Sequence, residues 1–141
     1  MHMQDELSIQ RACSALVSRY AYLNDERRFD ELAALFTHDA VLYRPSAPDQ
    51  AISGREAILA AFRKRPADTM TFHVCSDILI DVDSHQAAHG RSRILLLSAT
   101  RPEDGAIAQA GIPVPGVFVD RFTLTAAGWK FAERRGSFWI A

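Results

Sequence analysis

The residues of this chain best suited to chemistry are an acid, an imidazole and a phenol: Asp25, His73 and Tyr20. Asp25 sits in a polar elbow, Asn24-Asp25-Glu26-Arg27-Arg28, between two helical patterns. Tyr20 and Leu23 close the first pattern, and Phe29, Leu32, Ala33 and Phe36 carry the second. An acid leaving a helix whose apolar face is buried is able to point into the interior. His73 lies in a β-patterned run. Neutral imidazole accepts a proton near neutral pH. A carboxylate on its other nitrogen fixes the tautomer and stabilises the imidazolium that forms. Such a pair suits elimination or isomerisation, which needs a base for a carbon-bound proton and an acid or stabiliser for the oxygen side. The same residues admit a structural reading, with Asp25 as the N-cap of the second helix and His73 as a satisfied strand residue. Spacing alone leaves both readings open.

Tyr20 belongs to the buried stripe of the first helix, and a buried phenol needs a partner for its hydroxyl. That partner is either a substrate oxygen or the pocket wall. Phe62, Phe118, Asp120, Arg135 and Tyr43 are the further candidates for substrate contact. Tyr43 precedes a proline-containing loop and reads as a rim contact. Asp120 alternates with Phe118, Phe122 and Leu124, which makes it a buried acid, and a buried acid demands a partner. Arg135, on one strand face with Trp129 and Phe131 by period two, is expected to supply it as a structural pair. His89 and Arg91 share the outer face of their strand, while His38 and His85 fall at a helix end and in a turn. Neither HExxH, HxH nor any other metal-ligand spacing occurs, and GxSxG, P-loop and GxGxxG motifs are absent from the sequence. Cofactor-free, metal-free chemistry is the expectation.

The elements that must position these groups follow from periodicity. Ile9, Ala12, Cys13, Leu16, Val17 and Tyr20 predict a long first helix. A second helix is expected over 29–37 and a short strand over 40–43. Ser53-Gly54-Arg55-Glu56 has the form of a capping box opening a third helix, which Arg63-Lys64-Arg65 and Pro66 would close. That basic run is read as helix capping rather than a phosphate site. Four strands are expected over 70–82, 86–100, 116–125 and 129–140. The 101–115 connection is long and holds three prolines, the length of a functional lid or of a disordered segment. Helices followed by consecutive antiparallel strands imply α+β, with three helices over the concave face of a curled sheet enclosing a pocket.

The chain has 141 residues, 48% apolar and 23% charged, with formal net charge −1, which fits one globular domain and gives no nucleic-acid footprint. Two cysteines lack any framework or zinc spacing, and no apolar run has the length of a membrane helix. With no signal-peptide pattern, the expectation is a reduced, cytoplasmic protein without membrane partners.

RYAYLNDERRFDELAALFTHDAVLYRP, SGREAI, TFHV and GVFVDRFTLTAAGWKFAERR together resemble the SnoaL-like branch of the NTF2-like superfamily. The resemblance implies one domain over 5–141 with a cone-shaped α+β barrel. Within that branch, the dehydratases and dehydrochlorinases place an Asp at the elbow and a His early in the strand that follows the third helix, matching Asp25 and His73. A Tyr five residues before the Asp matches Tyr20, and a pocket Tyr on the first strand resembles Tyr43. The second histidine of scytalone dehydratase would fall near Leu95, where this chain has none. The resemblance implies acid–base lyase or isomerase chemistry on a small apolar cyclic substrate. The alternative it implies is a ligand-binding module or dioxygenase β-subunit-like partner. It further implies a homo-oligomer, a trimer before a dimer, with outward strand residues and Trp139 at the interface. Phe138-Trp139-Ile140 is alternatively expected to fold over the mouth of the cone.

Overall fold

The computed structural model describes residues 1–139, and the expectation that Ile140 folds over the mouth of the cone lies outside the described residues. Three helices, α1 (Met3–Asp25), α2 (Phe29–Ala33) and α3 (Arg55–Arg63), pack on one six-stranded sheet. Its strands are β1 (Phe36–Tyr43), β2 (Ala51–Ser53), β3 (Thr69–Val82), β4 (Ala87–Thr100), β5 (Val114–Thr125) and β6 (Gly128–Phe138). The spatial order is β2-β1-β6-β5-β4-β3. All neighbours are antiparallel except β1 and β6. The sheet curls but stays open, with β2 and β3 as its edges, so the expected barrel is an incomplete cone. Among the described residues no helix is long and apolar enough to cross a membrane.

Helix α1 buries Ile9, Cys13, Leu16, Val17 and Tyr20, the stripe its periodicity predicts, and then adds Asn24. Its end is built by Arg27, which takes a left-handed φ of 59°. Arg27 N–H bonds the Asn24 carbonyl and Arg28 N–H reaches back to Leu23, closing the last turn in the manner of a Schellman motif. A non-glycine residue there is held by its side chain. The Arg27 guanidinium donates to the carbonyls of Thr69 at 3.1 Å and Arg65 at 3.0 Å. The elbow is thereby clipped to the start of β3.

Three boundaries differ from the sequence expectation. Helix α2 ends at Ala33 and the chain is already strand by Phe36, because Phe36 pairs with Phe131 of β6. The Ser53–Glu56 capping box does not form: Gly54 is the N-cap, at φ 94°, and no side-chain cap bond is made. What holds that turn is Gly54 N–H to Ala40 at 2.7 Å, with the Arg55 guanidinium on the Phe36 carbonyl. Strand β2, too short to show a period, closes the sheet beside β1.

Bulges bend the sheet and reset which residues face inward. In β3 the register shifts between Ser76 and Leu79, where Asp77 has φ 53°. Thr71, His73 and Cys75 turn in before the bulge and Ile78 and Ile80 after it. Gly90 lies opposite, and a β-carbon there would meet Leu79 O at 2.8 Å and the Ile80 side chain at 2.7 Å. In β6 the register shifts by one, since Arg121 pairs with Glu133 but Phe122 with Phe131. Ala132 is the extra residue.

Candidate active site

Asp25 is the last residue of α1, where the negative end of the helix dipole disfavours a carboxylate. Three donors from β3 offset that cost. His73 backbone N–H reaches Oδ2 at 2.7 Å, Thr71 Oγ1 reaches Oδ1 at 2.9 Å, and His73 Nδ1 lies 2.5 Å from Oδ1. Hydrogen bonds to a charged acceptor contribute about 1.5–3 kcal/mol each. Asp25 therefore accepts from β3 and caps nothing: the N-cap of α2 is Arg28. With Nδ1 committed as donor to the carboxylate, Nε2 is the ring nitrogen left to accept a proton.

His73 and Thr71 line a cavity of about 750 Å³ inside the cone, together with Tyr20, Phe62 and Phe118. The side chains of His73 and Asp25 keep exposures of only 10% and 18%. Asp25 itself opens onto a second hollow of about 670 Å³, between α1 and the β3 edge, lined by Tyr22, Phe72, Val74 and Cys75. The dyad thus stands between the interior cavity and an outer groove: His73 lines both, and Asp25 lines only the outer one. Tyr20 is buried among Phe36, Phe62, Phe118 and Phe131, all in edge-on contact. Burial pushes its hydroxyl up to about 12, with Arg134 pulling against it, so the phenol stays protonated and remains a donor.

Beneath the cavity lies a buried ion pair whose partner differs from the expected one. Asp120 is paired with Arg134, Nε to Oδ1 at 3.0 Å, and both side chains are fully enclosed. The Ala132 bulge is the reason: it flips the parity of β6 between Phe131 and the residues after it, so Arg134 faces in and Arg135 faces out. Arg134 is boxed by Phe118, Tyr20 and Phe131, with ring centroids 3.7, 4.2 and 4.8 Å from its guanidinium carbon. These faces supply cation–π attraction to a guanidinium whose Nη1 and Nη2 have no hydrogen-bond partner among the described residues.

Arg135 is instead stacked on Tyr43, 4.1 Å from the ring, and also contacts Glu133. Neither Arg135 nor Tyr43 lines the cavity. On β1 it is Leu42 that faces in, which turns Tyr43 out. His89 and Arg91 point outward as alternation predicts, His89 binding Asp83 at 2.9 Å. The 101–113 segment stays clear of the cavity, with Ile107 and Ile112 exposed.

Some lining residues are not among the sequence candidates for the site. Arg44, Asn24, Ile52 and Arg65 all face the cavity. Local pattern makes Arg65 a helix cap, yet its guanidinium binds the carbonyl and side chain of Asn24 at 3.2 and 2.7 Å. The legible signal for Arg44 is its period-two offset from buried Leu42. Among the described residues no three His, Cys, Asp or Glu side chains converge as metal ligands.

Residues 5–135 match the SnoaL-like domain, so the chain belongs to that family, within the NTF2-like superfamily. Its fold superposes on a provisionally assigned scytalone dehydratase from Novosphingobium aromaticivorans with a TM-score of 0.83 and 26% identity, over 99% of this chain and 89% of the other. A type 2 hexachlorocyclohexane dehydrochlorinase, LinA, shares the fold at a TM-score of 0.82 and 20% identity, over 99% and 90% of the two chains. Rv3472 of Mycobacterium tuberculosis, a protein of unknown function, aligns at 0.79 with 25% identity, over 98% and 76%. No curated protein matches the sequence. The structural neighbours thus include proteins named for eliminations, which fits a lyase-like or isomerase-like enzyme.

The ion pair yields a pH prediction. Burial raises the Asp120 carboxyl from 3.8 to about 6, with Arg134 pulling it down. A folded value above the unfolded one means the protonated acid favours the native state, so this contribution is present below about pH 4 and lost through about pH 6. Urea unfolding between about pH 4 and pH 7 is expected to show wild type losing stability relative to Asp120→Asn as pH rises. A difference that stays flat or grows contradicts the raised carboxyl.

Proposed function

We propose that the protein is a cofactor-independent lyase or isomerase that moves a carbon-bound proton on a small, mainly apolar cyclic substrate held in the cone. The observation that carries this reading is the contact between His73 Nδ1 and Asp25 Oδ1 at 2.5 Å, at a cavity wall, with Asp25 fixed by two further donors. In the forward step, His73 Nε2 takes the proton from carbon. The C–H electrons form the new double bond, or an enolate if the substrate carries a carbonyl. Asp25 stabilises the imidazolium electrostatically and holds its orientation. In an elimination, the leaving group departs with the C–X electron pair and the imidazolium returns its proton to it. In an isomerisation, the proton returns to a different carbon. Tyr20, kept neutral by burial, donates to the substrate oxygen and lowers the cost of the developing charge. Phe62 and Phe118 supply apolar wall, whereas Asp120, expected as a substrate contact, does not line the cavity and serves as the buried partner of Arg134.

A sheet face with exposed Phe72, Val74, Leu79, Leu95 and Val119 supports a homo-oligomer built on that face, with a trimer favoured. Light scattering on the purified chain is expected to give a trimer that Val74→Glu dissociates; a monomeric wild type contradicts it.

The chemistry is tested with hydroxylated polycyclic ketones, steroids and chlorinated alicyclics. His73→Ala and Asp25→Asn are expected to lose turnover by about 10²-fold or more while still binding ligand. Binding with no turnover in wild type would make the chain a ligand-binding module instead.

A further inference from the structure

The interior cavity is unusual in the sign of its charges. Arg44, Lys64 and Arg65 line it, while no Asp or Glu does. Acids are not scarce, since the chain has 17 against 16 Lys and Arg. Elsewhere they are placed against arginines: Arg28 meets Glu31, Arg63 meets Asp30, and Arg121 and Arg135 meet Glu133. None of the three cavity cations forms an ion pair among the described residues.

The two arginines are also positioned rather than free. Arg65 lies over Phe29 and Phe62, 5.3 and 5.7 Å from the ring centroids, and two of its donors are tied to Asn24. Its other donors remain available, and Tyr20 lines the same cavity. Burial, and then Arg27 beside it, holds the Arg65 guanidinium below its usual value, with Tyr20 and Asp25 pulling the other way. Arg44 acts on both Tyr20 and Arg65, and its Nε is buried without a partner among the described residues.

We propose that the natural substrate is an organic acid, an apolar ring body carrying one carboxylate that Arg44 and Arg65 clamp inside the cone. This rests on the cavity being the substrate site, the reading proposed for the dyad. A planar anion suits guanidinium forks, which bind carboxylate through paired N–H bonds. A phosphate dianion suits the place less well. Lys64 and Arg65 follow the C-terminal end of α3, whose negative dipole disfavours a dianion more than a single carboxylate. The clamp fixes one end of the molecule, so the ring lies between Phe62, Phe118 and Ile94, with His73 on the strand next to Ile94. Lys64, exposed at the cavity edge, adds attraction for an incoming acid.

Calorimetric titration of matched pairs tests this: benzoate, 2-naphthoate and biphenyl-4-carboxylate, each against its primary amide. At least one acid is expected to bind wild type about tenfold or more tightly than its amide, with affinity falling between about 20 and 500 mM salt. Arg44→Met is expected to erase most of that preference, and Arg65→Met likewise if its melting temperature shows it folded. His73→Ala should keep the preference intact. Equal binding of acid and amide, no binding of any acid, or a preference that survives Arg44→Met overturns the clamp. The clamp and the dyad fail separately. Acid preference without turnover leaves the clamp and removes the catalyst; turnover of neutral substrates without acid preference does the reverse.

Discussion

The carboxylate of Asp25 holds a helix end and a strand edge together, and the geometry of the cavity wall depends on it. Strand β3 is an edge of the sheet, so its inward side would otherwise carry unpaired groups beside the end of α1. Asp25 takes the His73 N–H, the Thr71 hydroxyl and the His73 ring together, which uses one partly buried charge to fix a strand, a rotamer and a tautomer. Arg27 braces the same junction from the other side, accepting a left-handed backbone so that its guanidinium reaches Thr69 and Arg65. Loss of the Asp25 charge would therefore alter both the chemistry of His73 and the seat of β3.

The rest of the interior is organised by cations and aromatic rings. Arg134 sits inside a box of three aromatic faces with one carboxylate partner, an arrangement in which cation–π attraction offsets desolvation that one ion pair does not fully repay. Above it, Tyr20 is fixed edge-on among four phenylalanines, so its hydroxyl can serve the cavity without rotamer freedom. The aromatic walls and an imidazole held by Asp25 leave the cavity lining with little rotamer freedom.

Much of this is legible in the chain. The stripe of α1 appears where its spacing puts it, and the α+β order follows from helices preceding a meander. Asp25 and His73, far apart in sequence, are paired through the resemblance of motifs; spacing cannot distinguish a helix cap from a dyad. What the sequence hides are features that break a period. The Ala132 bulge exchanges Arg134 for Arg135 as the partner of Asp120, and no local signal marks a bulge made by an alanine. The parallel pairing of β1 with β6 joins strands from opposite halves of the chain, beyond the reach of any local pattern. Arg65 reads locally as a helix cap, and only the folded chain shows Asn24 turning it toward the cavity.

The central claim is that Asp25 holds His73 with Nδ1 protonated and Nε2 bare. Nitrogen-15 NMR of the His73 ring, in the pH range where it is neutral, measures this directly. The Nδ1–H tautomer is expected as the dominant form, with that preference lost in Asp25→Asn. A wild-type ring carrying its proton on Nε2, with Nδ1 bare, would contradict it.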